Sequence, residues 1–308
     1  MIAIRVEDRK QFGQGHRSRA IALAQACIRA NQPYIIFVSD SDWYSELVRQ
    51  GIAVSMLYES SGDAEEIKEM LTELKKRLIS FFIIDGYRFG PEFIRKLNVE
   101  GVLCAVIDDT AEIPKTSAWR VINPNIYATD EIYSRDWQIK SYTGANYIIL
   151  REPFINQRET PLEKGLISLS LGVSAGTELI NLISKELNLL GFYVVNAVNL
   201  DSSEMVSLID RSELIICGAS VTLHEVWARN RVALPVYQVR DQLQFSRYLR
   251  KLGVPYVESI NRNMIDVCGD IINIFKKTRT LNIKIDTPIN RNGADWVLSS
   301  LLNDLKQL

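Results

Sequence analysis

Apolar residues along the chain fall into short runs that alternate with stretches of helical period. The run Ile2-Ala3-Ile4-Arg5-Val6 reads as a strand, and residues 20–28 carry alanine, leucine and isoleucine at helical spacing. Residues 33–38 are a second strand. Asp40 or Ser41 opens a helix through Trp43 and Leu47, and 52–57 is a weak strand. The charged stretch 64–78 sets Ile67, Met70, Leu71 and Leu74 on one side of an amphipathic helix. Buried strands are expected at 79–84, 102–107 and 119–123, with Pro91 in the first turn of a helix between the first two. Residues 127–163 are polar and aromatic without a sustained period, and 155–164 are the expected linker. A second series then begins with a strand at 165–171 and a helix capped by Ser174 or Thr177 that runs through Leu190. Strands at 192–198, 213–217, 232–236 and 254–257 alternate with helices at 202–208, 222–229, 245–252 and 264–277. A last amphipathic stretch, 293–305, turns Trp296, Val297, Leu301 and Leu305 to one side.

This alternation predicts an α/β protein of two Rossmann-like domains with parallel sheets, facing a cleft. The expected division is an N-terminal domain at 1–155 and a C-terminal domain at 156–308. The last helix, about 293–305, could pack back on the first domain. Ligands in such sheets bind beyond the carboxyl ends of strands. Gly13 to His16, Tyr87, Asp108 and Asn125 all fall at such ends.

Composition narrows the function classes. The 308 residues carry a net charge of −1 and no basic block, which argues against nucleic acid or an anionic membrane as partner. Cys27, Cys104, Cys217 and Cys268 are far apart, lack metal-ligand spacing and lie mostly in apolar runs, as expected of reduced core cysteines. No apolar run reaches membrane-spanning length, and residues 1–20 are too charged for a signal peptide, so a cytoplasmic protein without membrane insertion is expected.

The chemistry concentrates in Phe12-Gly13-Gln14-Gly15-His16-Arg17-Ser18-Arg19, between the first strand and the first helix. Gly13 and Gly15 let backbone approach a ligand, and the helix behind them offers unpaired N–H groups. The third glycine of a dinucleotide fingerprint is replaced by Ser18. His16, one of two histidines, could act as a base near neutrality or merely pack and cap the helix. Tyr87 could bond a ligand or sit half-buried with its hydroxyl in water, and Arg19 could meet phosphate or solvent. Asp108-Asp109 could suggest a metal pair, but adjacent residues at a strand end rarely both ligate, and loop capping is the preferred reading. In the second half, Gly172 and Gly218–Thr222, each with a helix behind it, are two candidate anion cradles. Thr222-Leu223-His224-Glu225 also fits a capping box.

These residues resemble the nucleotide-sugar hydrolases of pseudaminic acid synthesis, which split UDP from a 2,4-diacetamido-2,4,6-trideoxy sugar and are related to spore-coat polysaccharide proteins. The resemblance spans nearly the whole chain. It rests on Arg5, Gly13-Gln14-Gly15-His16 with Arg19, Asp85 with Tyr87, Asp108-Asp109 and Asn123-Pro124-Asn125. It continues through Gly144, Asn146-Tyr147, Leu150-Arg151, Phe154, Ser170-Leu171-Gly172, Ser220 to Glu225, Gln242, Gly253 and Gly293-Ala294. It implies the GT-B fold and hydrolysis of a UDP-sugar with no cofactor and no metal. His16 is then the base and Tyr87 an active-site residue. Arg5, Gly13, Gly15, Arg19, Asn125 and Gln242 are implied at the substrate, and Gly172, Ser174, Gly218, Ser220, Thr222 and Glu225 at the nucleotide, with Glu225 on the ribose.

The chain departs from that pattern at four places. Gly172-Val173-Ser174-Ala175 stands for Gly-Gly-Ser-Asp, Gly86 for a histidine, Asp241 for an asparagine, and Arg5-Val6-Glu7 for Arg-x-Asp. Val173 resists the positive φ that a second glycine would allow, so that loop is expected to make fewer backbone contacts to phosphate than in the family, with compensating contacts from Gly218–Thr222 and Arg240. A glycosyltransferase on the same scaffold and a non-catalytic nucleotide-sugar binder are the alternative functions.

Overall fold

The computed structural model describes residues 1–8, 14–58, 64–110, 117–156, 160–172, 175–197, 200–281 and 289–308. It divides into two α/β units, Met1–Arg151 with Asn290–Leu308, and Glu152–Ile289. Gly13, Ser174 and the Val173 departure lie outside the described residues.

The first unit runs β1 (Ile2–Val6), α1 (Gly15–Arg29), β2 (Tyr34–Val38), α2 (Ser41–Arg49), β3 (Val54–Met56), α3 (Ala64–Lys76), β4 (Phe81–Asp85), α4 (Pro91–Val99), β5 (Leu103–Ile107), β6 (Arg120–Asn123) and β7 (Ser141–Thr143). Its seven strands are ordered β3-β2-β1-β4-β5-β6-β7, all parallel. The central strands β1, β2, β4 and β5 are buried on both faces, as their apolar runs require. Ile2, Ile4, Ile36, Phe81 and Ile83 face α1 and α2, while Ala3, Phe37, Phe82 and Ile84 face α3 and α4. Strand order reverses between β1 and β4, and a crevice for ligands forms at such a switch point.

The second unit runs α5 (Glu152–Ile155), β8 (Glu163–Ser170), α6 (Gly176–Leu189), β9 (Tyr193–Asn196), α7 (Ser202–Arg211), β10 (Ser212–Gly218), α8 (Val221–Ala228), β11 (Ala233–Tyr237), α9 (Leu243–Lys251), β12 (Val257–Glu258) and α10 (Met264–Leu281). Its parallel strands are ordered β12-β11-β10-β8-β9, so the switch point lies between β8 and β10. Buried Arg229 grips Asp210 (Nε to Oδ1, 2.8 Å) and donates to the Asn156 carbonyl, while Arg231 donates to the Thr160 carbonyl at 2.8 Å. The segment after α5 is thereby tied to this unit.

The last helix, α11 (Gly293–Leu305), returns to the first unit and packs Ala294, Val297, Leu298 and Leu301 into its core. Gly293 is required by contact: a Cβ there would lie 2.1 Å from the Ile148 carbonyl oxygen. Buried Asp304 accepts from Lys140 Nζ at 2.7 Å, Tyr142 Oη at 2.6 Å and Arg120 Nε at 2.5 Å. Burial would raise its pKa, but these three donors hold it at about 2.

Local expectations fail where side chains were asked to cap. Asp40 does cap α2, accepting from the Trp43 N–H at 2.7 Å. Helix α6, however, is preceded by Ala175 with no side-chain cap, and Thr177 lies inside its first turn. Helix α8 has Ser220, not Thr222, at its N-cap, so the capping-box reading of Glu225 falls. A capping box forms instead between Asp201 and Glu204 at α7. Strand β7 hides in the aperiodic stretch because three residues are too few to show a period. All four cysteines are buried and free, and burial raises each thiol pKa, to about 12 for Cys27 and Cys104. Among the described residues no helix is long and apolar enough to cross a membrane.

Candidate active site

At the first switch point, the start of α1 meets the ends of β4 and β5. Helix α1 begins at Gly15, which places His16 in its first turn and Arg19 one turn on, on the same face. Asp85 is the last residue of β4, in register with Val6. His16 and Asp85 are 4% and 1% exposed, so every polar contact here acts largely without solvent.

His16 Nδ1 lies 2.7 Å from Asp85 Oδ1 and 2.8 Å from Arg19 Nη2. A carboxylate only accepts and a guanidinium only donates, so Nδ1 can serve one of them. Arg19 Nη2 already has Asp85 Oδ1 as acceptor at 2.9 Å, and Nε has Oδ2 at 2.7 Å. The geometry therefore assigns the Nδ1 proton to the bond with Asp85 and leaves Nε2 as the acceptor. Burial alone would raise the Asp85 pKa, but Arg19 and then His16 hold its carboxyl well below the usual range. Burial would lower the Arg19 pKa, yet Asp85 and Asp109 raise it above its ordinary value.

The network continues onto β5. Arg19 Nη1 lies 3.3 Å from Asp109 Oδ2, and Tyr87 Oη donates to Asp109 Oδ1 at 3.0 Å. The Tyr87 ring stands edge-on to His16 with centroids 5.4 Å apart. Asn125 Nδ2 and Tyr127 Oη both donate to the Asp109 carbonyl at 3.1 Å. His16, Arg19, Tyr87 and Asn125 thus come together around two carboxylates. Asp108 turns to Tyr133, whose hydroxyl donates to Oδ2 at 3.2 Å. Among the described residues no group of three His, Cys, Asp or Glu side chains could hold a metal ion.

Arg5 stands apart from this group. It is fully buried, and its N–H groups are taken by Glu66 Oε1 (2.9 Å), the carbonyls of Val6 (3.1 Å) and Phe37 (3.2 Å), and Ser39 Oγ (3.2 Å). Its place is in an ion-pair layer beneath the site, with Asp8 at 3.3 Å and Arg88 donating to the same Glu66 at 3.1 Å. Two departures from the family pattern meet in this layer. A Cβ on Gly86 would lie 2.9 Å from the Glu7 Cβ, and Arg88 Nε is 2.9 Å from Glu7 Oε2. The backbone carrying Tyr87 is pressed onto Glu7, which leaves no room for a side chain at position 86.

The second unit gathers neutral groups at its own switch point. Gly172 follows β8 with φ +71°, and Gly218 ends β10 beside Val236 of β11. A Cβ at Gly218 would meet Gln238 Oε1 at 3.2 Å, Gln242 Nε2 at 3.6 Å and Ser220 Oγ at 3.6 Å, so three polar side chains converge on this backbone. Gln242 Oε1 accepts from the Gln238 N–H at 2.8 Å, which places Gln242 in the second unit's set. Ser220 and Thr222 are half-buried at the start of α8, and Glu225 is buried in its second turn. A surface hollow of about 500 Å³ against β3 and α3, lined by residues of both signs such as Lys68, Glu69 and Lys76, touches none of these groups.

Asp85, Asp109 and Gln238 carry parts of these sites that residue-type reasoning did not assign. Asp85 and His16 are 69 positions apart, and only the β1–β4 pairing brings them together.

The fold is that of two Rossmann-like units of the GT-B type. The chain is similar to MurG of Acinetobacter baumannii, at 15% identity over 96% of this chain and 93% of the other, with a TM-score of 0.57. It is similar to a UDP-GlcNAc 2-epimerase from Neisseria meningitidis bound to UDP-GlcNAc, at 12% identity over 98% and 100%, with a TM-score of 0.64. A UDP-GlcNAc 2-epimerase from Methanocaldococcus jannaschii aligns at 12% identity over 98% and 99%, with a TM-score of 0.56. No protein-family model and no curated protein sequence matches the chain.

Proposed function

We propose that the protein is a metal-independent nucleotide-sugar hydrolase that releases UDP from a UDP-diacetamido-trideoxyhexose. The observation that carries this reading is His16, buried at the first switch point with its Nδ1 proton on Asp85 and its Nε2 left as acceptor. Such a dyad is a general base. Water gives a proton to Nε2 while its oxygen bonds the anomeric carbon. The bond from that carbon to the diphosphate oxygen breaks, and UDP leaves with the electron pair. UDP leaves readily as an anion, so no strong general acid is needed. Asp85 and Asp109 against Arg19 leave one negative charge on the cluster, which the imidazolium cancels as it forms.

A neighbour of the same fold, bound to UDP-GlcNAc, supports a UDP-sugar as ligand. Gly172, at φ +71° after β8, and the neutral side chains of Ser220, Gln238 and Gln242 packed around Gly218 before α8 suit the nucleotide. In this reading Glu225 reaches the ribose.

The MurG likeness keeps a glycosyltransferase as the second reading. Incubation with a panel of UDP-, CMP- and GDP-sugars, with nucleotide release followed by mass spectrometry, separates the two. Release of UDP in water alone is expected. Release only on adding an acceptor would establish a transferase, and no release a binding protein.

A further inference from the structure

Arg19 is 5% exposed, and each of its three guanidinium nitrogens faces a carboxylate. Nε lies 2.7 Å from Asp85 Oδ2, Nη2 2.9 Å from Asp85 Oδ1, and Nη1 3.3 Å from Asp109 Oδ2. The pair with Asp85 is bidentate, which fixes the plane of that carboxylate as well as its place. The same Oδ1 that Nη2 holds is 2.7 Å from His16 Nδ1. Asp109 takes the third nitrogen, and its own carbonyl is fixed by Asn125 and Tyr127. An arginine enclosed in this way offers little surface to a phosphate.

Resting on the hydrolase reading, we propose that Arg19 is a positioning residue and not a phosphate contact: its fork sets Asp85 Oδ1 against His16 Nδ1 and so holds the imidazole in the tautomer that leaves Nε2 as acceptor. The other tautomer is close at hand. With its proton on Nε2, His16 would accept at Nδ1 from Arg19 Nη2, 2.8 Å away, and the base would be lost. That arrangement is disfavoured because Nη2 and Nε are both engaged by Asp85, and a bare Nδ1 would face Oδ1 as acceptor against acceptor. A lysine keeps the charge but not the fork. Its ammonium does not hold both oxygens of Asp85 in one plane, and its donors are free to turn to Nδ1, which admits the wrong tautomer.

The test is Arg19→Lys in the full chain. Turnover of UDP-diacetamido-trideoxyhexose should fall about 100-fold, with KM and the calorimetric affinity for UDP unchanged. Nitrogen NMR of histidine-labelled protein should show His16 protonated on Nδ1 in the wild type and on Nε2 in a large share of the variant. The His16 signal is told from that of His224 by its loss in His16→Asn. Adding Arg19→Lys to Asp85→Asn should lower turnover no further than Asp85→Asn alone, because Arg19 acts through that carboxylate. A phosphate contact behaves in the opposite way: lysine, itself a phosphate binder, keeps most of the turnover, and the loss falls on KM or UDP affinity. That pattern overturns the proposal, as does an Nδ1 proton unmoved in Arg19→Lys or a double variant showing the product of both single effects. If Arg19→Lys does not fold, Arg19→Gln is measured in the same way, and a wild-type His16 with its proton on Nε2 overturns the proposal without any variant of Arg19. A wild type that releases no UDP in water rejects the hydrolase reading, while the tautomer and the UDP affinity still decide the role of Arg19.

Discussion

The two switch points of this chain use the same backbone device and opposite chemistry. In the first unit the strand ends carry His16, Arg19 and Asp85, all buried, joined by hydrogen bonds and ion pairs to half-buried Tyr87 and Asp109. In the second they carry Gly172, Gly218, Ser220, Gln238 and Gln242, all neutral. A charged, prewired cluster suits a site where charge develops during reaction, because its dipoles need not reorganise. A neutral set of amides, hydroxyls and close backbone suits recognition of a group whose charge does not change. Under the proposed hydrolase reading, chemistry falls to the first unit and nucleotide recognition to the second.

The sharpest way to break this contrast is His16→Asn. Loss of a positioned base should lower turnover about 100- to 10,000-fold, while calorimetric titration shows UDP bound as before. Near-normal turnover, or a parallel loss of UDP affinity, would show that the division of labour is wrong.

A smaller effect separates the first unit's stability from its chemistry. The Asp304 pKa is lowered to about 2 in the folded chain, against about 3.9 for an unperturbed aspartate. Its contribution is therefore complete above roughly pH 4 and disappears as pH falls through about 2. Asp304→Asn should cost about 2 kcal/mol at neutral pH, with α11 the first element to loosen. The gap between variant and wild type in thermal melts should close on acidification across that window. A gap independent of pH would remove the ion-pair explanation for how α11 is anchored.

The smallest effect tests the second unit. Ser220 is the N-cap of α8 but makes no capping hydrogen bond, so Ser220→Ala should leave the melting temperature nearly unchanged. UDP affinity should fall several-fold, by roughly 1 kcal/mol, with turnover intact at saturation. Glu225→Ala should act in the same direction through the Michaelis constant. Unchanged affinity in both variants would move the nucleotide away from the Gly218 backbone.

Much of the architecture was legible because it depends on local pattern. Apolar runs too short for helices and buried on both faces read as parallel strands, and the stretch 293–305 read as a helix with the limits it has. His16 and Tyr87 stood out because both follow strand ends, where an α/β sheet binds ligands. Arg5 was placed at the substrate by the resemblance alone, and nothing local reveals that Glu66, 61 positions on, pairs with it in a buried layer. The capping-box alternative for Glu225 failed through spacing, since the helix starts at Val221 rather than after Thr222.

By itself, then, the sequence determined the alternation of strands and helices, the parallel sheets and the strand ends where polar chemistry gathers, because these follow from short-range periodicity and glycine placement. Only the tertiary structure decided which carboxylate holds His16, which one orients Tyr87, which arginine is enclosed in a salt-bridge layer, and why position 86 must be glycine. Those outcomes depend on the register of β1 with β4 and β4 with β5, which brings residues from distant parts of the chain within hydrogen-bond reach, where a buried polar group needs a partner.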